Sequence, residues 1–213
     1  MMLYELRTGG LESGEGAGAL TFVPISIEAV LRAAGETRRV LTFPWLGQNT
    51  PATTDDLSGN DCGPAALAMW LNGLGETLTV DDVSRAAGKG QGYTSTAYWD
   101  LTKAARQYRV TLSRKASLTP ALLRAEIDRG TPVIVLVHYG SLPQRATAFT
   151  GGHWVLVVGY DDRHLIYHDP LFVDSRGANI SCTDADFARA MADCALDGNT
   201  PNQGLVRLLG GEL

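Results

Sequence analysis

The sequence predicts an α+β fold, and three observations carry that prediction. After Asn60-Asp61-Cys62-Gly63-Pro64 comes Ala65-Ala66-Leu67-Ala68-Met69-Trp70-Leu71, an apolar run that reads as a helix buried on every side. Val133-Ile134-Val135-Leu136-Val137 is a mostly β-branched run, suited to a central strand covered on both faces. His153–Tyr160 and His164–His168 flank Asp161-Asp162-Arg163 and read as two antiparallel strands. No repeat or linker interrupts these segments, so one domain is expected over residues 40–213. Residues 1–39 form an N-terminal extension of unknown role, expected to pack on that domain.

The remaining elements follow from local signals. Leu3–Leu6 and Thr21–Ile27 read as strand or extended chain, and Ser26–Ala34 has helical spacing ended by Gly35. Val40–Leu46 is extended, with Pro44 restricting Phe43. The buried helix should begin near Cys62, because proline suits a first helical turn, and stop at Asn72-Gly73-Leu74-Gly75. Thr79 caps a short helix that ends at Gly88. A helix from Ser95 to Tyr108 buries Tyr98, Leu101, Thr102 and Ala105, and a strand follows at Arg109–Ser113. A capped helix from Thr119 to Arg129, a helix over Thr183–Met191 and a strand over Gly204–Leu209 complete the chain.

Composition narrows the function. The 213 residues carry a net charge of −5 with a pI near 5.3, which argues against nucleic acid and anionic membrane surfaces. No apolar run approaches the roughly 18 residues of a membrane span. The start, Met1-Met2-Leu3-Tyr4-Glu5-Leu6, has no basic segment and no apolar core of a secretory signal, so a cytoplasmic location is the default expectation. Cys62, Cys182 and Cys194 make neither a disulfide framework nor a zinc-binding pair, and no metal or cofactor is expected. Gly88-Lys89-Gly90-Gln91-Gly92-Tyr93 fits neither a phosphate loop nor a dinucleotide fingerprint.

The chemistry centres on Cys62. A thiol in the first turn of a helix sits among free backbone N–H groups at the positive end of the macrodipole, which favours the thiolate. A cysteine nucleophile then needs a base, a group that orients the base and a donor for the developing oxyanion. The chain has four histidines, and His153 stands out: Gly151-Gly152 precede it and the apolar strand Trp154–Val158 follows. Asp169, in Tyr167-His168-Asp169-Pro170, ends the next strand and would orient the ring. It lies opposite His153 if the hairpin is centred on Asp161, whereas a two-residue turn at Asp161-Asp162 places Pro170 there instead. Gln48, Asn49, Asn60 and the Cys62 N–H are the candidate oxyanion donors.

Three blocks, Asn60–Met69, Gly152–Tyr160 and Asp169-Pro170, resemble the signature blocks of C39-like peptidases of the papain-like clan. That family includes the processing domains of bacteriocin exporters. The resemblance spans roughly residues 40–170, because Asp128–Val135 is also similar to the family's helix-to-strand segment. It implies a papain-like fold in which a helix carrying the nucleophile Cys62 packs on an antiparallel sheet carrying the base His153 and the orienter Asp169. It further implies a glutamine donor before the cysteine. Exporter-type members place it six residues upstream, where this chain has Asp56; Phe43-Pro44-Trp45-Leu46-Gly47-Gln48 instead resembles the lead-in of stand-alone members, which implies Gln48. The implied activity is hydrolysis of a peptide or related amide bond in a peptide or protein substrate. Acyl transfer or deamidation by the same triad, or a silent module that only binds peptide, are the alternatives. Gly9-Gly10 resembles an exporter-substrate cleavage site, but in a glycine-rich chain self-processing is not the expectation.

Overall fold

The computed structural model describes residues 3–8, 20–25, 38–48, 60–88 and 95–208. The predicted helix over Ser26–Ala34, the Gly9-Gly10 pair, Asn49 and most of the Gly88–Tyr93 loop lie outside them. Two compact units divide the chain, Met1–Arg38 and Arg39–Leu213. In the first, β1 (Leu3–Thr8) and β2 (Leu20–Ile25) form an antiparallel hairpin, with Leu3 opposite Ile25.

The second unit is built on an antiparallel sheet ordered β4-β9-β5-β6-β7-β8, with β3 also paired to β6. Its strands are β3 (Arg39–Val40), β4 (Leu112–Lys115), β5 (Val133–His138), β6 (Gly152–Tyr160), β7 (His164–His168), β8 (Ile180–Thr183) and β9 (Gly204–Arg207). One face carries Ile134, Leu136, Trp154 and Leu156, which pack against Leu67, Met69 and Trp70 of α1 (Cys62–Gly73). The other face carries Val135, Val155, Val157 and Tyr167, covered by Leu123 and Ile127 of α4 (Pro120–Asp128) and by Phe187 and Met191 of α5 (Asp184–Ala192). Gly63 to Leu71 are all buried, as a helix apolar all round requires. Each large side chain buried there contributes about 1.5–3 kcal/mol, which is enough to fix the helix start against the sheet.

Local signals set several boundaries. Thr79 and Asp82 form a reciprocal capping box on α2 (Val80–Ala87), and left-handed Gly88 ends it. Thr119 and Thr183 cap α4 and α5 through their side-chain oxygens. Two element boundaries need correction. Helix α3 starts at Tyr98 and runs to Gln107, three residues later than predicted at its start, because its N-cap Ala97 is extended and the Trp154 indole occupies the Thr96 carbonyl at 2.9 Å. Its buried positions are therefore Asp100, Leu101, Ala104 and Ala105, while Tyr98 and Thr102 are only partly buried. Strand β4 likewise begins at Leu112, since Arg109 has a φ of 60° and cannot extend the ladder. β8, absent from the sequence prediction, pairs with β7.

The β6–β7 hairpin decides which side chains meet at the cleft. Asp161 N donates to His164 O at 2.9 Å, so the loop residues are Asp162 and Arg163. Tyr160 faces Leu165 and Gly159 faces Ile166, but a bulge shifts the register so that Val157 faces Tyr167 and Leu156 faces His168. Neither predicted register occurs. One further step along the ladder sets Asp169 opposite Val155, and Val155 shares a face with His153. Without the bulge, Asp169 would sit opposite Leu156, on the wrong face.

Candidate active site

Cys62 opens α1 and is partly exposed, whereas His153 enters β6 at 2% exposure and Asp169 is completely buried. The His153 Nε2 lies 2.8 Å from Asp169 Oδ1. The ring is also hydrogen-bonded to the Cys62 side chain, for which Nδ1 is the remaining nitrogen. Burial opposes a charge on His153, yet the bonds to Asp169 and Cys62 and the charges of both outweigh it, raising its pKa to about 9. The site therefore favours imidazolium at neutral pH.

Asp169 is held from several directions. Its Oδ1 also accepts the Leu171 N–H at 2.8 Å, its backbone N–H donates to Gly177 O at 2.8 Å, and its carbonyl accepts the Trp45 indole N–H at 2.8 Å. A Cβ at Gly177 would stand 2.5 Å from both the Asp169 carbonyl oxygen and Trp45 Nε1. Gly177→Ala is accordingly expected to push this loop away, lowering kcat about tenfold or more while KM changes little; steady-state kinetics on a purified, folded variant checks it.

Gln48 is 1% exposed, and its N–H donates to Pro170 O at 2.7 Å, one residue beyond Asp169. The lead-in is also pinned through His168, whose Nε2–H donates to Phe43 O at 3.0 Å while Nδ1 accepts the Asn179 N–H at 3.0 Å. Gln48, Cys62 and His153 all line one cleft of about 940 Å³, together with Asn60 and Trp154. Asn60, another side-chain candidate for the oxyanion, is exposed, and Asn49 lies outside the described residues. The loop over residues 140–150 borders the cleft through Thr147 and Phe149.

Sequence reasoning missed two contributors. Tyr139 sets its ring edge-on to His153 with centroids 4.8 Å apart, and burial followed by the Asp169 charge pushes its phenol well above its usual range. Trp45 was legible only as an aromatic in the lead-in, because its bond to Asp169 spans 124 residues. The other histidines are engaged elsewhere: His138 with Ser141 at 3.0 Å, His164 with Asp161 at 2.8 Å, and His168 as described. Cys182 and Cys194 are buried, which pushes both thiols up to about 12.

With this geometry in view, the model of the Peptidase_C39 like family matches residues 40–192, most of the chain. The chain belongs to the C39-like peptidase family. A solved structure from Bacillus anthracis, described as a C39-like peptidase, superposes with a TM-score of 0.56 at 15% identity, covering 80% of this chain and 97% of that one. At this identity the likeness is one of fold, and the fold is the papain-like α+β arrangement that the signature blocks imply. The peptidase domain of Streptococcus ComA, a bi-functional ABC transporter of a quorum-sensing pathway, aligns with a TM-score of 0.49 and 17% identity, covering 71% of this chain and 93% of that one. A double glycine motif protease from an AMS/PCAT transporter, solved with a leader peptide, aligns at 0.48 and 15%, covering 80% of this chain and 94% of that one. No curated protein matches the chain. Among the described residues, no helix of this C39-like chain is long and apolar enough to cross a membrane.

Proposed function

We propose that this C39-like protein is a cysteine peptidase whose triad is Cys62, His153 and Asp169. The observation that carries the reading is a single imidazole bonded both to a buried carboxylate at 2.8 Å and to a thiol at a helix N-terminus. In this mechanism the Cys62 thiolate attacks the substrate carbonyl carbon and the C–N bond breaks. His153 gives its Nδ1 proton to the leaving amine, which departs and leaves an acyl-thioester on Cys62. His153 then takes a proton from water, whose hydroxide attacks the thioester, and the acid product leaves as the thiolate and imidazolium return. Asp169 holds the Nε2–H and so keeps Nδ1 directed at the sulfur.

The oxyanion donors are the Gln48 amide and the Cys62 backbone N–H. Burial favours Gln48 over exposed Asn60, because such donors act most strongly where water is excluded. Gln48→Ala is expected to lower kcat by about 10²–10³, whereas Asn60→Ala changes it little; an equal loss in Asn60→Ala would reassign the donor.

The deciding experiment incubates the protein with a peptide library and reads the products by mass spectrometry against a Cys62→Ala control. New termini that require Cys62 support hydrolysis. Products joined to an added amine would instead establish acyl transfer, and an unchanged library that nevertheless binds would leave a peptide-binding module.

A further inference from the structure

Arg114 brings a positive charge to the cleft that the proposed chemistry does not use. It lies on β4, three strands from β6 in the order β4-β9-β5-β6. Its register partner is Leu205, which in turn faces Ile134, and both belong to the core on the α1 side of the sheet. Arg114 therefore stands on the same sheet face as Trp154 and Leu136. With Tyr98 and Gln203, these residues line the cleft that contains Cys62 and His153.

The guanidinium is fixed at two points. Its Cζ sits 4.6 Å from the centre of the Tyr98 ring, and its Nε donates to Gln203 Oε1 at 3.0 Å. Gln203 is itself only 6% exposed, so the anchor is part of the interior. Among the described residues, no carboxylate pairs with Arg114. With the flat face on tyrosine and Nε occupied, the two Nη groups remain, the edge that makes two parallel hydrogen bonds with a carboxylate. A lysine would not offer that fork. The protein's net charge of −5 repels an acidic chain at long range, and Asp197 in the same cleft repels it locally. A preorganised cation is what would make one carboxylate welcome at one place.

We propose that Arg114, set by Tyr98 and Gln203, is a subsite for a carboxylate of the peptide substrate. Arg114 lies in one row with Leu205, Ile134 and Leu156; three strand-to-strand steps of about 4.8 Å and the three residues along β6 from Leu156 to His153 together span roughly 17 Å. An extended peptide covers roughly 3.3–3.6 Å per residue, so the carboxylate belongs about five residues from the scissile bond. It comes from an Asp or Glu side chain or from the peptide's own C-terminus. The inference rests on the cleft being a peptide site, as proposed above, but its test is separable from catalysis.

The test measures binding to the full chain carrying Cys62→Ala, so that turnover plays no part. The probes are three fluorescent peptides of one sequence: neutral and amidated, amidated with a single Glu placed at successive positions, and neutral with a free C-terminus. The expected result is about tenfold or more tighter binding of one acidic form. That preference is lost in Arg114→Met and only partly kept in Arg114→Lys. The form that gains identifies the source of the carboxylate. Equal binding of acidic and neutral peptides overturns the subsite, even if Arg114→Met fails to fold, and so does an acidic preference that survives Arg114→Met. Cysteine-dependent cleavage with no acidic preference would sink the subsite and leave the peptidase reading standing. Acidic-selective, Arg114-dependent binding without cleavage would do the reverse.

Discussion

Cys62→Ala is expected to lower peptide cleavage by at least about four orders of magnitude, because a triad that loses its nucleophile retains only binding and oxyanion effects. The fold should survive, since α1 is held by the buried run from Gly63 to Leu71, whereas Cys62 itself is partly exposed. Far-UV circular dichroism and an unchanged melting transition would establish that. The same residue gives a chemical readout without substrate. At pH 6 an ordinary thiol is almost entirely protonated, while a thiolate paired with imidazolium and lying at a helix N-terminus alkylates readily. Iodoacetamide should therefore label Cys62 well ahead of Cys182 and Cys194, whose burial pushes their thiols up to about 12. Labelling of Cys62 no faster than that of a free cysteine peptide at pH 6 would sink the ion-pair mechanism.

The second large effect belongs to Asp169. Asp169→Asn should cost about 10²–10⁴ in kcat by releasing the tautomer and orientation of His153. Asp169→Ala should in addition cost about 3–5 kcal/mol of stability by leaving a buried imidazole without its partner. The pH dependence has a definite sign. The His153 pKa rises from 6.5 to about 9 on folding, so its pairing stabilises the native state fully below pH 6.5. That contribution fades as the pH climbs and is gone above about 9, and activity that needs imidazolium declines over the same range. In Asp169→Asn the alkaline limb of the kcat/KM profile should move to lower pH, since the hydrogen bond to Asp169 is the largest influence raising the His153 pKa. An alkaline limb that stays in place would show that another group controls it. Urea midpoints at pH 6 and pH 9.5 would check the stability half of the argument.

What could be read from the chain was what short-range chemistry determines. The apolar run after Cys62, the Thr79 cap with Gly88, and the β5 run each needed only their own neighbours, and each lies where the residues put it. Elements whose limits depend on distant partners were harder. The start of α3 hangs on a bond from Trp154, 58 residues away, and the clamp on Asp169 comes from Trp45. No period or propensity encodes such contacts. The pairing of His153 with Asp169 was visible as two residues of suitable type at the ends of neighbouring strands. Which faces they occupied was not, because the bulge in β6 leaves only Gly159 as a trace in the sequence.

That bulge makes the alignment of imidazole and carboxylate a matter of phase. A hairpin alternates its side chains with period two, so each residue gained or lost within the paired strands between His153 and Asp169 flips their relation, and the bulge supplies one such flip. Gly159 holds it in place: a Cβ there would stand 2.6 Å from Arg39 O and 2.9 Å from Val40 Cα, so β3 can seat against the distortion only while that position stays bare. The paired strands of the hairpin and the cleft are thus coupled by counting alone. Two residues added within one paired strand keep the imidazole and the carboxylate in phase. A one-residue change there would have to be matched by erasing the bulge, and with it the seat of β3, the strand that leads into Gln48.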